Sequence, residues 1–135
     1  MSMTAIQVPG APDIPGLTFR AATAEDWDAI AGLLNEARKT DGIDEFQTGA
    51  SLASEHPESE GFSIVRDVLL AEVDGRLVAY AGGHRVLRDG RPVGQTECVV
   101  HPAYRRKRLG TAIHRATVAR LQAEFATDPC PGPRQ

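Results

Sequence analysis

The sequence predicts an α/β protein of the α+β kind, with a mixed, mostly antiparallel sheet and flanking helices. Three observations carry this. Residues 67–101 contain three apolar, alternating runs separated by Asp74-Gly75 and Asp89-Gly90, the pattern of an antiparallel meander. Two stretches, one after Thr23 and one from Arg108 or Leu109 to about Ala126, repeat apolar residues at helical spacing. The length, 135 residues, is room for one domain.

Residues 1–16 carry three Pro and two Gly without periodicity and are expected to form a flexible arm. A short strand is expected over residues 17–21. Thr23 then makes an N-cap, and Asp26 three residues on completes a capping-box pattern with Asp in place of Glu or Gln. The helix that follows puts Trp27, Ile30, Ala31, Leu34 and Ala37 on one face and is expected to fray near residues 40–42. Trp27 is assigned to the core on this spacing.

Residues 40–61 are polar and rich in Gly, Ser and Glu, too long for an ordinary connector. A short helix is expected at residues 50–55, ended before Pro57. The rest is read as a segment that could line a binding pocket. Strands are expected over residues 67–73, 76–87 and 92–101, with Gly82-Gly83 marking a bend or bulge. The last helix presents Leu109, Ala112, Ile113 and Ala116 to a sheet, while Val118, Leu121 and Phe125 lie on another arc. Residues 127–135 form a Pro-rich tail, which leaves residues 17–126 as the domain.

Composition sets limits on function. Aromatic residues are only 5%, so the core rests on Leu, Val, Ile and Ala. The net charge of −3 gives no whole-chain signal for nucleic acid. The distribution says more: residues 25–74 are rich in acids, whereas residues 101–115 hold five Lys and Arg and no acid. Of the two cysteines, Cys98 is expected in a buried strand and Cys130 in the tail, so no disulfide is expected. Without a basic, apolar leader or a run of roughly 20 apolar residues, the expected setting is a reducing cytoplasm with no membrane partner.

The basic segment, VVHPAYRRKRLGTAI at residues 99–113, is where chemistry concentrates. A strand leading through a basic turn into a helix start exposes N–H groups and the positive end of a helix dipole, which together suit a phosphate. It is neither a GxxxxGK[ST] loop nor a GxGxxG fingerprint.

The order of elements, with LTFRAATAEDWDAIAGLLNEA at residues 17–37 and the basic segment, resembles the GNAT superfamily of N-acetyltransferases. The acyl-CoA motif of that family is V-x-P-x-aromatic followed by [RQ]-x-x-G-x-[GA]. Val100, Pro102 and Tyr104 fit the first part, Arg105 the leading Arg/Gln and Gly110 the final Gly/Ala. Arg108 stands where the family has its first Gly. The resemblance implies an N-acetyltransferase that moves an acetyl group from acetyl-CoA to an amine, with no metal.

The resemblance implies a cofactor site built from Cys98, Val99 and Val100 on the strand, from Arg105, Arg106, Lys107 and Arg108 in the turn, and from Leu109, Gly110 and Thr111 at the helix start. It implies Glu97, on the strand leading into the motif, as the catalytic base. Family members continue with a further strand, a helix and usually two more strands. This sequence stops at Gln135, so the expectation is the N-terminal part of such a domain: a truncated product, a half-domain completed by a partner chain, or a homodimer that shares strands. The rival expectation is a non-catalytic acyl-CoA-binding or regulatory half-domain.

His101 and His114 are secondary candidates for a base. His56 and His84 have no metal-ligand spacing and are read as incidental. Cys98 is read as packing rather than a nucleophile. Tyr104 is expected to pack beside the turn. A nucleic-acid role for residues 105–108 would need a wider basic face than one loop supplies.

Overall fold

Thr23 opens the first helical segment as its sequence predicts. Its N–H donates to Asp26 Oδ2 at 2.7 Å, and its hydroxyl accepts from the N–H of Glu25. In the computed structural model, which describes residues 6–59 and 61–127, this box starts a 3-10 turn, Ala24–Asp26, that runs into helix α1, Trp27–Thr40. Arg20 on strand β1, Leu17–Ala21, pairs with Asp26 at 2.8 and 2.9 Å and so ties the turn to the sheet. This guanidinium holds the Asp26 carboxyl below the usual carboxylate range.

Helix α2, Gly49–Glu55, is capped by the Thr48 hydroxyl, which accepts from the N–H of Ser51. A four-residue helix α3, Ile64–Asp67, leads into β2, Val68–Val73. Strands β3, Arg76–Arg88, and β4, Arg91–Val100, follow. A second 3-10 turn, Pro102–Tyr104, precedes helix α4, Leu109–Thr127. The sheet order is β1-β2-β3-β4 and every pairing is antiparallel. Asp74-Gly75 and Asp89-Gly90 both take positive φ at their two positions, as tight hairpin turns require.

The sheet buries two clusters. One joins Ile30, Leu34, Leu52, Phe62, Leu70 and Tyr80, so α1 and α2 cover that face. The other joins Phe19, Ala71, Ala79, Leu109, Ala112 and Ile113 under α4. The predicted α4 face is therefore the buried one, and Leu121 from the second arc is buried too.

Four expectations are corrected. The bulge falls at Val78, where β2 moves from Ala71↔Ala79 to Glu72↔Leu77. Gly82 and Gly83 stay in regular register. Glycine is needed at 83 because a Cβ there would lie 2.5 Å from Thr117 Cγ2 on α4. Cys98 is exposed, since β4 pairs with β3 on one edge and with no strand on the other among the described residues. Asp67 belongs to α3 rather than to the strand. Part of the expected arm is packed: the N–H of Ile6 donates to Phe19 O, and Val8 is buried. Of the tail, residues 128–135, including Cys130, lie outside the described residues.

One charged group is buried among these elements. Asp67 is 1% exposed. It accepts from Arg66 at 2.8 Å, from Arg120 of α4 at 3.1 Å, and from the N–H of Ser63 at 2.9 Å. Arg120 also donates to Gly83 O at 2.6 Å. Removing one partner of a buried ion cluster strands the other charges. Asp67→Ala is expected to lower stability by about 3 kcal/mol or more in urea unfolding. Arg66→Ala, at a half-exposed side chain, is expected to cost about 1 kcal/mol or less.

Candidate functional site

The turn between β4 and α4 is built by local hydrogen bonding. His101 caps the 3-10 turn: its Nδ1 accepts from the N–H of Ala103 at 3.1 Å. Its own N–H reaches the carbonyl of the bulged Val78 at 2.7 Å. After Tyr104 the chain reverses through two residues in the left-handed region, Arg106 at φ 64° and Arg108 at φ 68°. The first hydrogen bond closing α4 runs from the N–H of Ala112 to Arg108 O. Among the described residues, no acceptor reaches the N–H groups of residues 106–111. These orphan donors sit at the positive end of a 19-residue helix. They border an open cleft of about 360 Å³, lined among others by Val100, Tyr104, Arg106, Arg108 and Thr111.

The side chains of the motif divide their work. Leu109 is fully buried and anchors the helix start in the core. A Cβ at Gly110 would lie 3.2 Å from Val100 Cγ2, so this glycine serves the contact of α4 with β4. Arg105 is committed to Asp41, at the end of α1, by bonds of 2.7 and 3.0 Å, and its Nε donates to Val100 O. That guanidinium holds the Asp41 carboxyl below its ordinary range. Arg106, Lys107 and Arg108 are exposed, with no ion pair among the described residues. The backbone donors and these cations fit a pyrophosphate.

Glu97 faces the other helix pair. It lies opposite Gly82 in the β3–β4 register. The buried phenol of Tyr80 donates to Glu97 Oε1 at 2.9 Å. Burial pushes the Tyr80 phenol far above its ordinary value, and the Glu97 charge adds to this, so Tyr80 keeps its proton and remains a donor. Tyr80, Gly82 and His84 on β3 and Gln95 and Glu97 on β4 border a pocket of about 110 Å³. Its wall is a chain of rings from Trp27 through His56 and Phe62 to His84, each step 5.7 Å between centroids. Desolvation lowers the His84 pKa, which leaves its imidazole neutral at pH 7.

The structure thus brings Glu97 together with residues that sequence reasoning placed elsewhere or passed over. Trp27, expected in the core, is half-buried and lines the pocket. His56 and His84 line it as well, and Tyr80 was missed. The alternation in YAGGH puts Tyr80, Gly82 and His84 on one face, a signal present in the sequence. His101 Nε2 lies 2.6 Å from Glu36, so both ring nitrogens are occupied by structural contacts. His114 is exposed on α4, away from Glu97. The Cys98 Sγ turns towards Gly110 O at 3.9 Å, and burial of the thiol, then the Glu97 charge, raise its pKa, so it is no thiolate nucleophile. Tyr104 packs edge-on against His101 beside the turn, as expected. A wider groove of about 780 Å³ runs between α1 and residues 42–49 and touches neither β3 nor β4.

A sequence model of the acetyltransferase (GNAT) family matches residues 27–127. The chain belongs to the GNAT acetyltransferase family. Acetyl-CoA is the co-substrate of GNAT enzymes. Among solved structures, a GCN5-related N-acetyltransferase from Sphaerobacter thermophilus superposes with a TM-score of 0.69 at 23% identity, covering 86% of this chain and 35% of that one. The yncA protein of Salmonella typhimurium, with its cofactor acetyl-CoA, gives 0.60 at 21%, covering 80% and 64%. The ribosomal-protein-S18-alanine N-acetyltransferase of Escherichia coli gives 0.57 at 18%, covering 80% and 61%. At these identities the likeness is one of GNAT fold, and the chain spans about a third to under two thirds of these proteins. No curated protein sequence matches the chain. Among the described residues no group of three His, Cys, Asp or Glu could hold a metal, and no helix is long and apolar enough to cross a membrane.

Arg108 is held at positive φ, where a side chain costs about 1–2 kcal/mol and glycine fits freely. Arg108→Gly is expected to raise stability by about 1 kcal/mol, net of the greater freedom of glycine in the unfolded chain, and Arg108→Ala to give no gain. Urea unfolding of both variants checks this.

Proposed function

We propose that the protein is an N-acetyltransferase that moves an acetyl group from acetyl-CoA to an amine. The observation that carries this is the free N–H row of residues 106–111 at the α4 start, one strand-end away from Glu97. In this reading the backbone of that row binds the pyrophosphate, assisted by Arg106, Lys107 and Arg108. The edge of β4 at Cys98, Val99 and Val100, unpaired among the described residues, offers amide partners to the pantetheine arm. Acetyl-CoA, when bound, supplies the thioester acetyl group.

Glu97 takes the proton that the acceptor ammonium must lose before its nitrogen can attack. The Tyr80 hydroxyl fixes that carboxylate by donating to its Oε1. Support for a cytoplasmic setting comes from Cys98 as a free cysteine. A second reading, an acyl-CoA-binding half-domain completed by a homodimer or another partner chain, is favoured by the open β4 edge.

Thermal unfolding and thiol release separate these readings. CoA at a hundredfold excess over its Kd is expected to stabilise the protein by about 2.7 kcal/mol, and Lys107→Glu to lose part of that shift. Loss of any CoA effect in the parent protein would overturn both readings. Free thiol released from acetyl-CoA only when amines are present supports the enzyme. In that assay Glu97→Gln is expected to lower kcat by about 10²–10⁴ without changing the CoA shift. A CoA shift with no thiol release under any amine supports the half-domain.

A further inference from the structure

We infer that the pocket at Gly82 selects, as acceptor, a primary amine on a flat apolar stem with no carboxylate beside the amino group. This rests on the acetyltransferase reading above and adds the class of substrate.

Space comes first. Tyr80, Gly82 and His84 share one face of β3, so the missing side chain at 82 leaves a gap between two rings, directly opposite Glu97. A Cβ built on Gly82 would meet only Asp67 O and Val68 Cγ2, both at 3.8 Å, so nothing in the fold requires the gap. At about 110 Å³ it has room for an amino group with a ring or short chain.

The walls come next. Trp27, Phe62 and Tyr80 present aromatic surface, which attracts an ammonium and stacks on a flat stem. Charge decides the rest. Among the described residues of the lining, Glu97 is the one carboxylate and none is a Lys or Arg. His84 is neutral at pH 7. The guanidinium groups in the neighbourhood are engaged: Arg66 and Arg120 by Asp67, and Arg38 by Gln47 and Glu45. An ammonium therefore finds a partner in Glu97, whereas a carboxylate on the adjacent carbon would face Glu97 with no Lys or Arg of the described lining to neutralise it.

Trp27 is the single tryptophan of the chain and forms part of the pocket wall, so its fluorescence reports occupancy without any acetyl transfer. The probes are 2-phenylethylamine, L-phenylalanine and 2-phenylethanol, each titrated into the full chain. A saturable change with 2-phenylethylamine is expected, with L-phenylalanine and 2-phenylethanol at least tenfold weaker. Gly82→Leu is expected to abolish the amine response while retaining the CoA-induced melting shift. Should Gly82→Leu not melt cooperatively, Gly82→Ala is read instead, with at least a threefold loss expected. Equal binding of L-phenylalanine, or an amine response untouched by filling Gly82, overturns the inference. A CoA shift without any amine response sinks this inference alone. A selective amine response without a CoA shift sinks the acetyltransferase reading alone.

Discussion

The buried carboxylate of Asp67 joins the parts of the fold that have least to do with one another in sequence. It closes α3 on the N–H of Ser63, stands at the entrance to β2, and reaches Arg120 three turns into α4. Arg120 in turn grips the carbonyl of Gly83 on β3. A charge removed from water must be matched by well-placed partners, so this cluster tolerates few rotations of α4 about its own axis. The rotation it permits is the one that turns Leu109, Ala112 and Ile113 onto the sheet. The start of α4, and with it the free N–H row, inherits its position from a carboxylate on the far side of the same helix.

Strand β4 divides the chemistry between two faces. Alternate residues point to opposite sides, so Cys98 and Val100 meet the start of α4, while Glu97 and Val99 face α1 and the ring-lined pocket. A one-residue slip would exchange these roles. The bulge at Val78 works against such a slip, because its carbonyl receives the N–H of His101 and fixes where β4 ends. The strained backbone at Arg106 and Arg108 follows directly after this anchored end. Strain of that kind persists only where neighbouring structure overdetermines it, and here the Tyr104–His101 contact and the buried Leu109 hold the turn from both sides.

Much of this was legible in the sequence because it is written in local chemistry. The Thr23–Asp26 box, the two Asp-Gly turns, the apolar face of α4 and the basic turn all depend on residues within a few positions of each other. The phosphate-compatible turn was legible for the same reason. The pocket around Glu97 was not, since Trp27 comes from α1, Tyr80 from β3, and His56 and Phe62 from the connection between α2 and α3, with no shared spacing. Trp27 does pack against the core as its helical spacing implies, but that spacing gives no sign that it also lines the pocket. Cys98 was misplaced because an apolar run cannot reveal whether a strand has one neighbour or two. Asp67, lying between Arg66 and an apolar strand, gives no local sign that its partner is 53 residues away.

The bonds from Arg105 to Asp41 and from His101 to Glu36 moor the turn to the C-terminal half of α1. Asp41 is also the residue from which the chain sets off into the segment bordering the wide groove beside α1. Turn and segment therefore share a common anchor at Asp41. By thermodynamic reciprocity, any molecule that shifts Asp41 when it settles in the groove alters affinity at the turn by the same factor that occupancy of the turn alters its own. The Arg105–Asp41 pair is exposed and screened by salt, so this linkage is modest and fades as ionic strength rises.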